Sequence, residues 1–248
     1  METPFPWNFL QHLLVPQHCV ICGEPAINRD FSQVCRPCLE ELRALPEPVC
    51  TVCGKPLPGG RYSPADTCAE CRSDPPPFDM ARAWGSYQGN LRSLLREFKY
   101  RGWKPLAGPL GGLLEDVLKR DFPPGFDWIV PVPLHRKRLR GRGYDQALLL
   151  ARALASRTGI PILLAADRVK DTLPQYGLSA SARKENLAGA FALKKDLRVE
   201  EASVLVVDDV FTTGSTVSSL CGCLRKNRGI SFIGALTVAR AIRHGPLN

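Results

Sequence analysis

The chain has 248 residues, 44% hydrophobic and 23% charged, an ordinary globular composition without the run of 18 apolar residues that a membrane-spanning helix needs. This length suits two domains better than one. Residues 1–78 hold 6 basic and 9 acidic residues, whereas residues 79–248 hold 27 and 15, so the second part carries a net charge of +12 and favours anionic partners such as phosphates or nucleic acid.

The N-terminal stretch METPFPWNFLQHLLVP has an apolar patch. It has no basic segment before that patch and no small-residue cleavage site after it, so it differs from a secretory signal peptide. We predict a short amphipathic helix here and a cytoplasmic location for the protein.

Eight of the ten cysteines lie between Cys19 and Cys71, in four CxxC pairs. One CxxC bend presents two thiolates to a metal ion, and two bends complete a tetrahedron. The gap of 12 residues between the first two pairs and that of 14 between the last two suit zinc ribbons, and so short a region needs metal to be stable. We predict two structural zinc ions. The ligands are Cys19, Cys22, Cys35 and Cys38 for one ion, and Cys50, Cys53, Cys68 and Cys71 for the other.

Two alternatives exist for these cysteines. Four disulfides would need an oxidising compartment, which the absence of a signal peptide disfavours. An interleaved cross-brace would pair the CxxC motifs differently from the sequential arrangement. The remaining cysteines, Cys221 and Cys223, lie two apart on a predicted helix, where small buried residues are the expected role.

A proline-rich stretch, SDPPPFD, closes the cysteine region. It predicts a domain boundary, with a double zinc ribbon at residues 1–78, a second domain at residues 79–248 and a separate hydrophobic core in each. The acidic ribbon region is unsuited to binding nucleic acid alone, so we expect it to be structural or to bind a protein partner.

After the boundary, GNLRSLLREFKYRG places Leu91, Leu94, Leu95 and Phe98 on one face of a helix. DWIVPVP predicts a buried strand, and PILLAADRV another. Between them, GYDQALLLARALASRTG predicts a helix that ends at Gly159. Its inward residues are predicted to be Ala147, Leu148, Ala151, Leu154 and Ala155.

The long polar stretch KDTLPQYGLSASARKENLAGA is typical of a loop. SVLVVDD then predicts a strand, GSTVSSLCGCLRKNRG a helix and SFIGALTVAR a last strand. Strands that alternate with helices indicate an α/β fold with a parallel sheet.

The stretch VLVVDDVFTTGST combines a predicted strand, two acids and a turn of small residues. Ligands of parallel α/β sheets lie at the carboxyl ends of the strands, where Asp208 and Asp209 are expected. Amides at a helix N-terminus bind phosphate, and the hydroxyls of Thr212 to Thr216 add donors. The acids can accept hydrogen bonds from sugar hydroxyls, so the stretch predicts a ribose 5-phosphate site.

Two other interpretations of this stretch are available. VLVVDD also begins a response-regulator receiver, but the 40 residues after Asp208 are too few for the rest of that fold. An ordinary N-cap turn without a ligand needs one side-chain acceptor, whereas this turn follows two acids and carries four hydroxyls.

The stretch resembles the phosphoribosyl-pyrophosphate (PRPP) motif of type I phosphoribosyltransferases. Together with YQGNLRSLLREFKYRG, IVPVPLHRKRLRGRGYDQALLLARALA, LPQYGLSASARKENLAGAF and the CxxC pairs, it is similar over nearly the whole chain to the ComF/GntX family. These proteins are associated with competence and DNA utilisation, and they place a double zinc ribbon before a phosphoribosyltransferase domain. Phe211 departs from the aliphatic residue common at its position, and we expect it to serve packing.

The resemblance implies that Asp208 and Asp209 are catalytic residues that hold the ribose hydroxyls. It implies a 5-phosphate site in the turn and a pyrophosphate loop at LHRKRLRGRG, where Arg138 and Arg142 match the family best. The alternative for each cation of that loop is a solvated surface charge. The residues implied for the 5-phosphate are Thr212, Thr213, Gly214, Ser215 and Thr216.

The resemblance also places a flexible lid at SARKENLAGAF, where Arg183, as a catalytic residue, and Lys184 would close over pyrophosphate. Lys99 belongs to a Lys-Tyr pair near the hood over the acceptor, and a snorkelling surface lysine is its alternative role. Magnesium would accompany PRPP and neutralise the leaving group.

The implied activity is Mg²⁺-dependent transfer of the phosphoribosyl group to an unidentified acceptor, linked to DNA uptake. The alternative is an adaptor without enzyme activity that senses PRPP or binds single-stranded DNA within the uptake machinery. An aromatic group for stacking with DNA bases is only loosely suggested, and core packing explains it equally well. Its members are Trp84, Tyr87, Tyr100 and Trp103.

Overall fold

A computed structural model describes residues 18–26, 33–58, 66–171, 189–195 and 197–242. The predicted N-terminal helix and most of the predicted long loop lie outside these ranges. Arg183 and Lys184, which the resemblance assigns to a lid, therefore also lie outside the described residues.

The central feature is a parallel sheet whose strands, in spatial order, are β1 (Met80–Ser86), β6 (Ile230–Arg240), β5 (Ala202–Phe211) and β2 (Trp128–Pro131). Its two central strands, β5 and β6, are rich in Val, Leu and Ala and are almost completely buried, as expected for a sheet covered on both faces. The predicted parallel α/β fold is therefore confirmed. Two further strands, β3 (Ala166–Arg168) and β4 (Phe191–Leu193), form a separate antiparallel pair.

Seven helices are found in the described residues, and none of these helices is both long and apolar enough to cross a bilayer. On the helix Gly89–Tyr100 the predicted apolar face is confirmed, because its four members are all buried. The helices are α1 (Arg36–Glu40), α2 (Ala69–Ser73), α3 (Gly89–Tyr100), α4 (Ala107–Asp121), α5 (Arg136–Arg142), α6 (Gln146–Thr158) and α7 (Ser215–Leu224), with a 3₁₀ turn at Lys104–Leu106.

The inward face of α6 differs in part from the prediction. Leu150 is buried, whereas Leu148 and Ala155 are only half-buried. The buried residues Ala147, Leu150, Ala151 and Leu154 follow the helical spacing i, i+3, i+4, i+7, so the apolar stripe is rotated from the predicted one. The C-terminus agrees, because Gly159 has a left-handed φ of 76°.

The segment PILLAADRV was predicted as one strand, and this is wrong. Ile162 makes a single parallel bridge to Ile129, after which the chain leaves the sheet edge. Only Ala166–Arg168 is extended, and it pairs antiparallel with β4. A short apolar run does not specify its pairing partner, and here the partner comes from beyond the long loop.

Each face of the sheet has its own hydrophobic cluster, and each cluster includes cysteines. Cys35 and Cys38 pack with α3, α4 and α6 on one face. Cys53 and Cys71 pack with Phe78 and α7 on the other. The expectation that the ribbon region and the sheet have separate cores is therefore wrong, since both cores are shared. The boundary at residues 78 and 79 remains a prediction.

Candidate functional site

The eight cysteines form two groups of four, and within each group all sulfur atoms lie within 4.8 Å of one another. Cys22 Sγ lies 3.6 Å from Cys35 Sγ, and Cys53 Sγ lies 3.7 Å from Cys68 Sγ. Four sulfurs bound to one zinc ion at 2.3 Å are about 3.8 Å apart in a tetrahedron, whereas a disulfide is about 2.05 Å long. The predicted sequential grouping is confirmed, and both groups fit a structural zinc ion.

The two ribbons repeat one local design. In each, the amide after a CxxC bend donates to the carbonyl of the first cysteine, at 2.9 Å for Gly23 to Cys19 and 2.9 Å for Gly54 to Cys50. The third cysteine of each group is the N-cap of a short helix, α1 or α2. The second ribbon lies directly against the sheet, because a Cβ on Gly54 would come within 2.5 Å of the Ala81 carbonyl oxygen.

The acid pair lies within β5 rather than at its end, because the strand continues to Phe211. Successive residues of a strand face opposite sides of the sheet. Asp209 shares its side with α3, and Lys99 Nζ at the end of that helix lies 2.7 Å from Asp209 Oδ2. The Lys99 side chain is 25% exposed and that of Asp209 is 3% exposed, so the ammonium group points to a buried carboxylate and the predicted alternative of a snorkelling surface lysine is wrong.

The neighbouring carboxylates have opposite electrostatic preferences. Burial is the largest single influence on the pKa of Asp209 and would raise it, but the charge and hydrogen bond of Lys99, together with Asp208 and Arg142, lower that pKa overall. Burial and the charge of Asp209 together raise the pKa of Asp208 well above its ordinary value. Burial would lower the pKa of Lys99, but the two acids together raise that pKa overall. The pair therefore favours one carboxylate and one neutral acid beside an ammonium group.

The turn that follows β5 is built around Gly214, the N-cap of α7, with a left-handed φ of 77°. Its carbonyl accepts from the Ser218 amide at 2.7 Å, which starts the helix. Thr212 and Thr216 line the cleft beside the acids. Thr213 and Ser215 share a hydrogen bond of 2.7 Å, and Thr213 lines a second pocket, of about 380 Å³, against the second ribbon.

The predicted pyrophosphate loop is a helix, α5, which begins after His135 and ends at Gly143. Arg138 and Arg142, four residues apart, line the cleft. The other cations of this helix, Arg136, Lys137 and Arg140, are exposed. The helical period thus divides five cations into an inward pair and an outward group.

Three further residues support or line the cleft, and the sequence analysis did not single them out. Asp145 accepts from the Leu134 amide at 3.1 Å and from the Leu148 amide at 3.0 Å, which joins the end of β2 to the start of α6. An aspartate before an apolar helix is a capping signal that would have predicted this role. Gln146 accepts a hydrogen bond from Arg142. Arg168 faces the cleft from β3, and no sequence signal indicates it.

These elements enclose a cleft of about 270 Å³ at the carboxyl ends of β2 and β5. Four cations surround two buried acids, so an anion and a polyhydroxyl group can bind side by side. The charged and hydroxyl-bearing residues that line the cleft are Lys99, Arg138, Arg142, Arg168, Asp208, Asp209, Thr212 and Thr216.

The four aromatic residues that the sequence suggested for base stacking lie in two different environments. Trp84 and Tyr87 pack against the core. Tyr100 and Trp103 are 68% and 37% exposed. The guanidinium of Arg142 lies 5.5 Å from the centre of the Tyr100 ring, so this aromatic residue is at the rim of the cleft.

Comparison with known proteins agrees with this architecture. Residues 10–72 match the family described as "Double zinc ribbon domain". The chain is 34% identical over 231 residues to "DNA utilization protein YhgH" of Salmonella typhi, covering 91% of this chain and 96% of that protein. It is 35% identical to "Competence protein F" of Haemophilus influenzae, covering 84% and 90%. It is 23% identical to "Competence protein ComFC" of Bacillus subtilis, covering 84% and 85%.

Among solved structures, adenine phosphoribosyltransferase from Saccharomyces cerevisiae aligns with 59% of this chain and 73% of its own, at 17% identity and a TM-score of 0.33. A similarity of this size does not by itself define the fold. The relatives do define the family, because they match nearly end to end at more than 30% identity. The chain therefore belongs to the ComF/GntX family, with a double zinc ribbon next to a parallel α/β domain.

Proposed function

We propose that this protein binds Mg²⁺-PRPP in the cleft and transfers the phosphoribosyl group to an acceptor. One observation carries the proposal: a single cleft brings together the acid pair, the two threonines of the turn and the inward arginines of α5. The spacing of these groups along the chain does not require them to meet, but the sheet places them at one edge. An acid pair next to an anion site is the chemistry that a ribose phosphate needs.

In the proposed binding mode, the turn from Thr212 to Thr216 and the N-terminus of α7 hold the 5-phosphate. Asp208 and Asp209 accept hydrogen bonds from the ribose hydroxyls. Arg138 and Arg142 bind the pyrophosphate group by charge-assisted hydrogen bonds. Carboxylates and phosphates are suitable oxygen ligands for magnesium. When bound with PRPP, magnesium would neutralise the negative charge of the leaving pyrophosphate.

In the proposed reaction, the bond between ribose C1 and the pyrophosphate oxygen breaks, and the electron pair leaves with pyrophosphate. The acceptor nucleophile then forms its bond at C1, and its proton leaves to solvent water. The arginines stabilise the negative charge that develops on the leaving oxygen. Lys99 keeps Asp209 ionised, so that carboxylate is ready to accept a hydroxyl hydrogen bond.

Calorimetric titration of PRPP with Mg²⁺ tests the binding step. The parent protein should bind, whereas Asp208→Asn with Asp209→Asn should not. Asp116→Asn, which removes an exposed carboxylate remote from the cleft, is the control. Pyrophosphate release in a screen of acceptors tests the transfer step. PRPP binding without release for any acceptor would favour a PRPP sensor, and no binding would contradict the proposal.

A second candidate function is the binding of single-stranded DNA at the rim of the cleft in the cytoplasm, as part of DNA uptake. Its specific support is the exposed cations of α5, among them Arg136 and Arg140, and the exposed Tyr100 at the rim of the cleft. Cations that bind phosphates and an aromatic ring that stacks on bases are the usual components of such sites. The relatives named for DNA utilisation and competence agree with this role.

A further inference from the structure

Arg240, the last residue of β6, connects the second cysteine group with the hydrophobic residues that pack against the turn from Thr212 to Thr216. The residue is 9% exposed. Its Nη1 donates to the Cys53 carbonyl oxygen at 2.7 Å, and its Nη2 lies 3.7 Å from Cys53 Sγ. A zinc ion with four thiolates carries a net charge of about −2, so a buried guanidinium at this place is favourable.

The same guanidinium lies over an aromatic ring. Its central carbon is 4.4 Å from the centre of the Phe211 ring, within the range of a cation–π interaction. Phe211 and Arg240 are also partners in the pairing of β5 with β6. Phe78 also packs edge-on against Phe211, with ring centres 6.1 Å apart.

Phe211 also packs against the turn from Thr212 to Thr216. A Cβ on Gly214 would come within 2.4 Å of Phe211 Cζ, so the ring packs directly against the backbone of the residue that starts α7. The contacts therefore run without a gap from Cys53 through Arg240 and Phe211 to Gly214. The aromatic residue that departs from the common aliphatic one is the central element of this connection.

We propose that Arg240 is a positioning residue through which the second cysteine group, with its zinc ion, holds the turn from Thr212 to Thr216 in its binding geometry. The part of this proposal that concerns a phosphate ligand rests on the proposed function. The first cysteine group packs instead with α3 on the opposite face of the sheet. The two zinc sites are therefore unequal, and the second one controls the order of the turn.

The chain offers a matched control in Arg82. This arginine lies on β1 and also reaches the second ribbon, where its Nη1 donates to the Thr51 carbonyl oxygen at 3.0 Å. It belongs to the same interface between ribbon and sheet, but its hydrogen bonds go to the carbonyls of Cys50, Thr51 and Ala81, whereas Arg240 lies over the Phe211 ring. Replacing Arg82 loosens the attachment of the ribbon, whereas replacing Arg240 also removes the support of Phe211.

Hydrogen exchange of the ligand-free protein tests the inference without any assumption about PRPP. We compare Arg240→Met, Arg240→Lys and Arg82→Met with the parent, after metal analysis has shown two zinc ions in each. The amides of residues 214–218 should exchange at least tenfold faster in both Arg240 variants and at the parent rate in Arg82→Met. Equal exchange in all four proteins would overturn the proposal, and so would equally fast exchange in Arg82→Met.

A second variant guards against general destabilisation. Phe211→Leu keeps an apolar side chain and leaves the Arg240–Cys53 contacts possible, so zinc should be retained while the turn exchanges faster. Parent-like exchange in Phe211→Leu would contradict the role of the ring. Titration with Mg²⁺-PRPP separates the two proposals: if the parent does not bind PRPP, the proposed function fails, whereas the exchange result still decides the role of Arg240.

Discussion

Lys99 Nζ lies 2.7 Å from Asp209 Oδ2, and this contact joins the end of α3 to the middle of the sheet. The pair connects two elements that are more than a hundred residues apart in sequence. It also gives the neighbouring acids different roles, because Asp209 is stabilised as an anion while Asp208 favours its neutral form.

Single Asp→Asn changes in the acid pair should alter stability in opposite directions. Asp209→Asn leaves the Lys99 ammonium without its partner and should cost about 3 kcal/mol, the low end for a broken buried ion pair because Lys99 is partly exposed. Asp208→Asn removes a carboxyl group whose ionisation is opposed by burial and by Asp209. The side-chain oxygen of the asparagine can still accept from the backbone N–H of Asp209, so the variant should be at least as stable as the parent. Both should lose PRPP binding.

The difference in stability between Asp208→Asn and the parent should change with pH in one direction. The folded pKa of Asp208 is raised, so its carboxyl group increasingly destabilises the fold as the pH rises from about 3.8 to the raised value. The melting temperature of Asp208→Asn should therefore exceed that of the parent by a margin that widens over this window and is then constant. Calorimetry from pH 4 to pH 8 measures the margin. A margin that narrows would refute the assignment.

Lys99→Met should make ligand binding depend on pH. Without the ammonium group, burial raises the pKa of Asp209, so the acid pair takes up a second proton at a higher pH than in the parent. PRPP affinity in the variant should fall about tenfold for each pH unit below the raised pKa. Titrations at pH 6, 7 and 8 check this, with Lys119→Met, an exposed lysine of α4, as the control. The idea fails if Lys99→Met follows the pH profile of the parent.

Gly214→Ala should be more harmful than the same change at a matched glycine. Gly159 has a nearly equal φ of 76° with nothing within 4 Å of an added Cβ, so its substitution costs only the backbone strain of about 1 kcal/mol. At Gly214 the clash with Phe211 adds about 1–3 kcal/mol. Chemical denaturation should show the larger loss, and calorimetry at least tenfold weaker PRPP binding. Equal losses of stability at Gly214 and Gly159 would show that the Phe211 ring does not constrain position 214.

The inward and outward cations of α5 should have separable functions. Arg138→Gln with Arg142→Gln should weaken PRPP binding by at least a hundredfold, because two charge-assisted contacts are lost. Arg136→Gln with Arg140→Gln removes the same charge but should leave PRPP affinity within about twofold and reduce the salt-dependent binding of a labelled oligonucleotide. Calorimetry and fluorescence anisotropy at two salt concentrations measure both. The division is wrong if the outward pair matters equally for PRPP.

Loss of a zinc site should destabilise the whole chain, because each cysteine group shares a core with the sheet. Cys38→Ser should lower the free energy of unfolding by at least about 3 kcal/mol, or the melting temperature by about 6–12 °C, in a single transition. Scanning calorimetry with metal analysis checks this. Two transitions, with the sheet domain unchanged, would support separate cores instead.

The sequence alone determined the features that depend on local spacing. Four CxxC pairs specify metal ligands because each bend acts within a few residues, and the repeat of Leu91, Leu94, Leu95 and Phe98 specifies a helical face. The apolar run before Asp208 and the small turn after it specify a strand and a helix start in the same way. The order of these segments was enough to predict the parallel α/β fold and the two ribbons.

Tertiary structure decided which of these segments meet. No local pattern places Lys99 on Asp209 or Arg168 in the cleft, because both contacts depend on how distant elements pack on the sheet. The shared cores and the contact of Arg240 with Cys53 also join residues from opposite ends of the chain. Side-chain packing and buried charge pairing are long-range interactions, so only the folded chain could assign them.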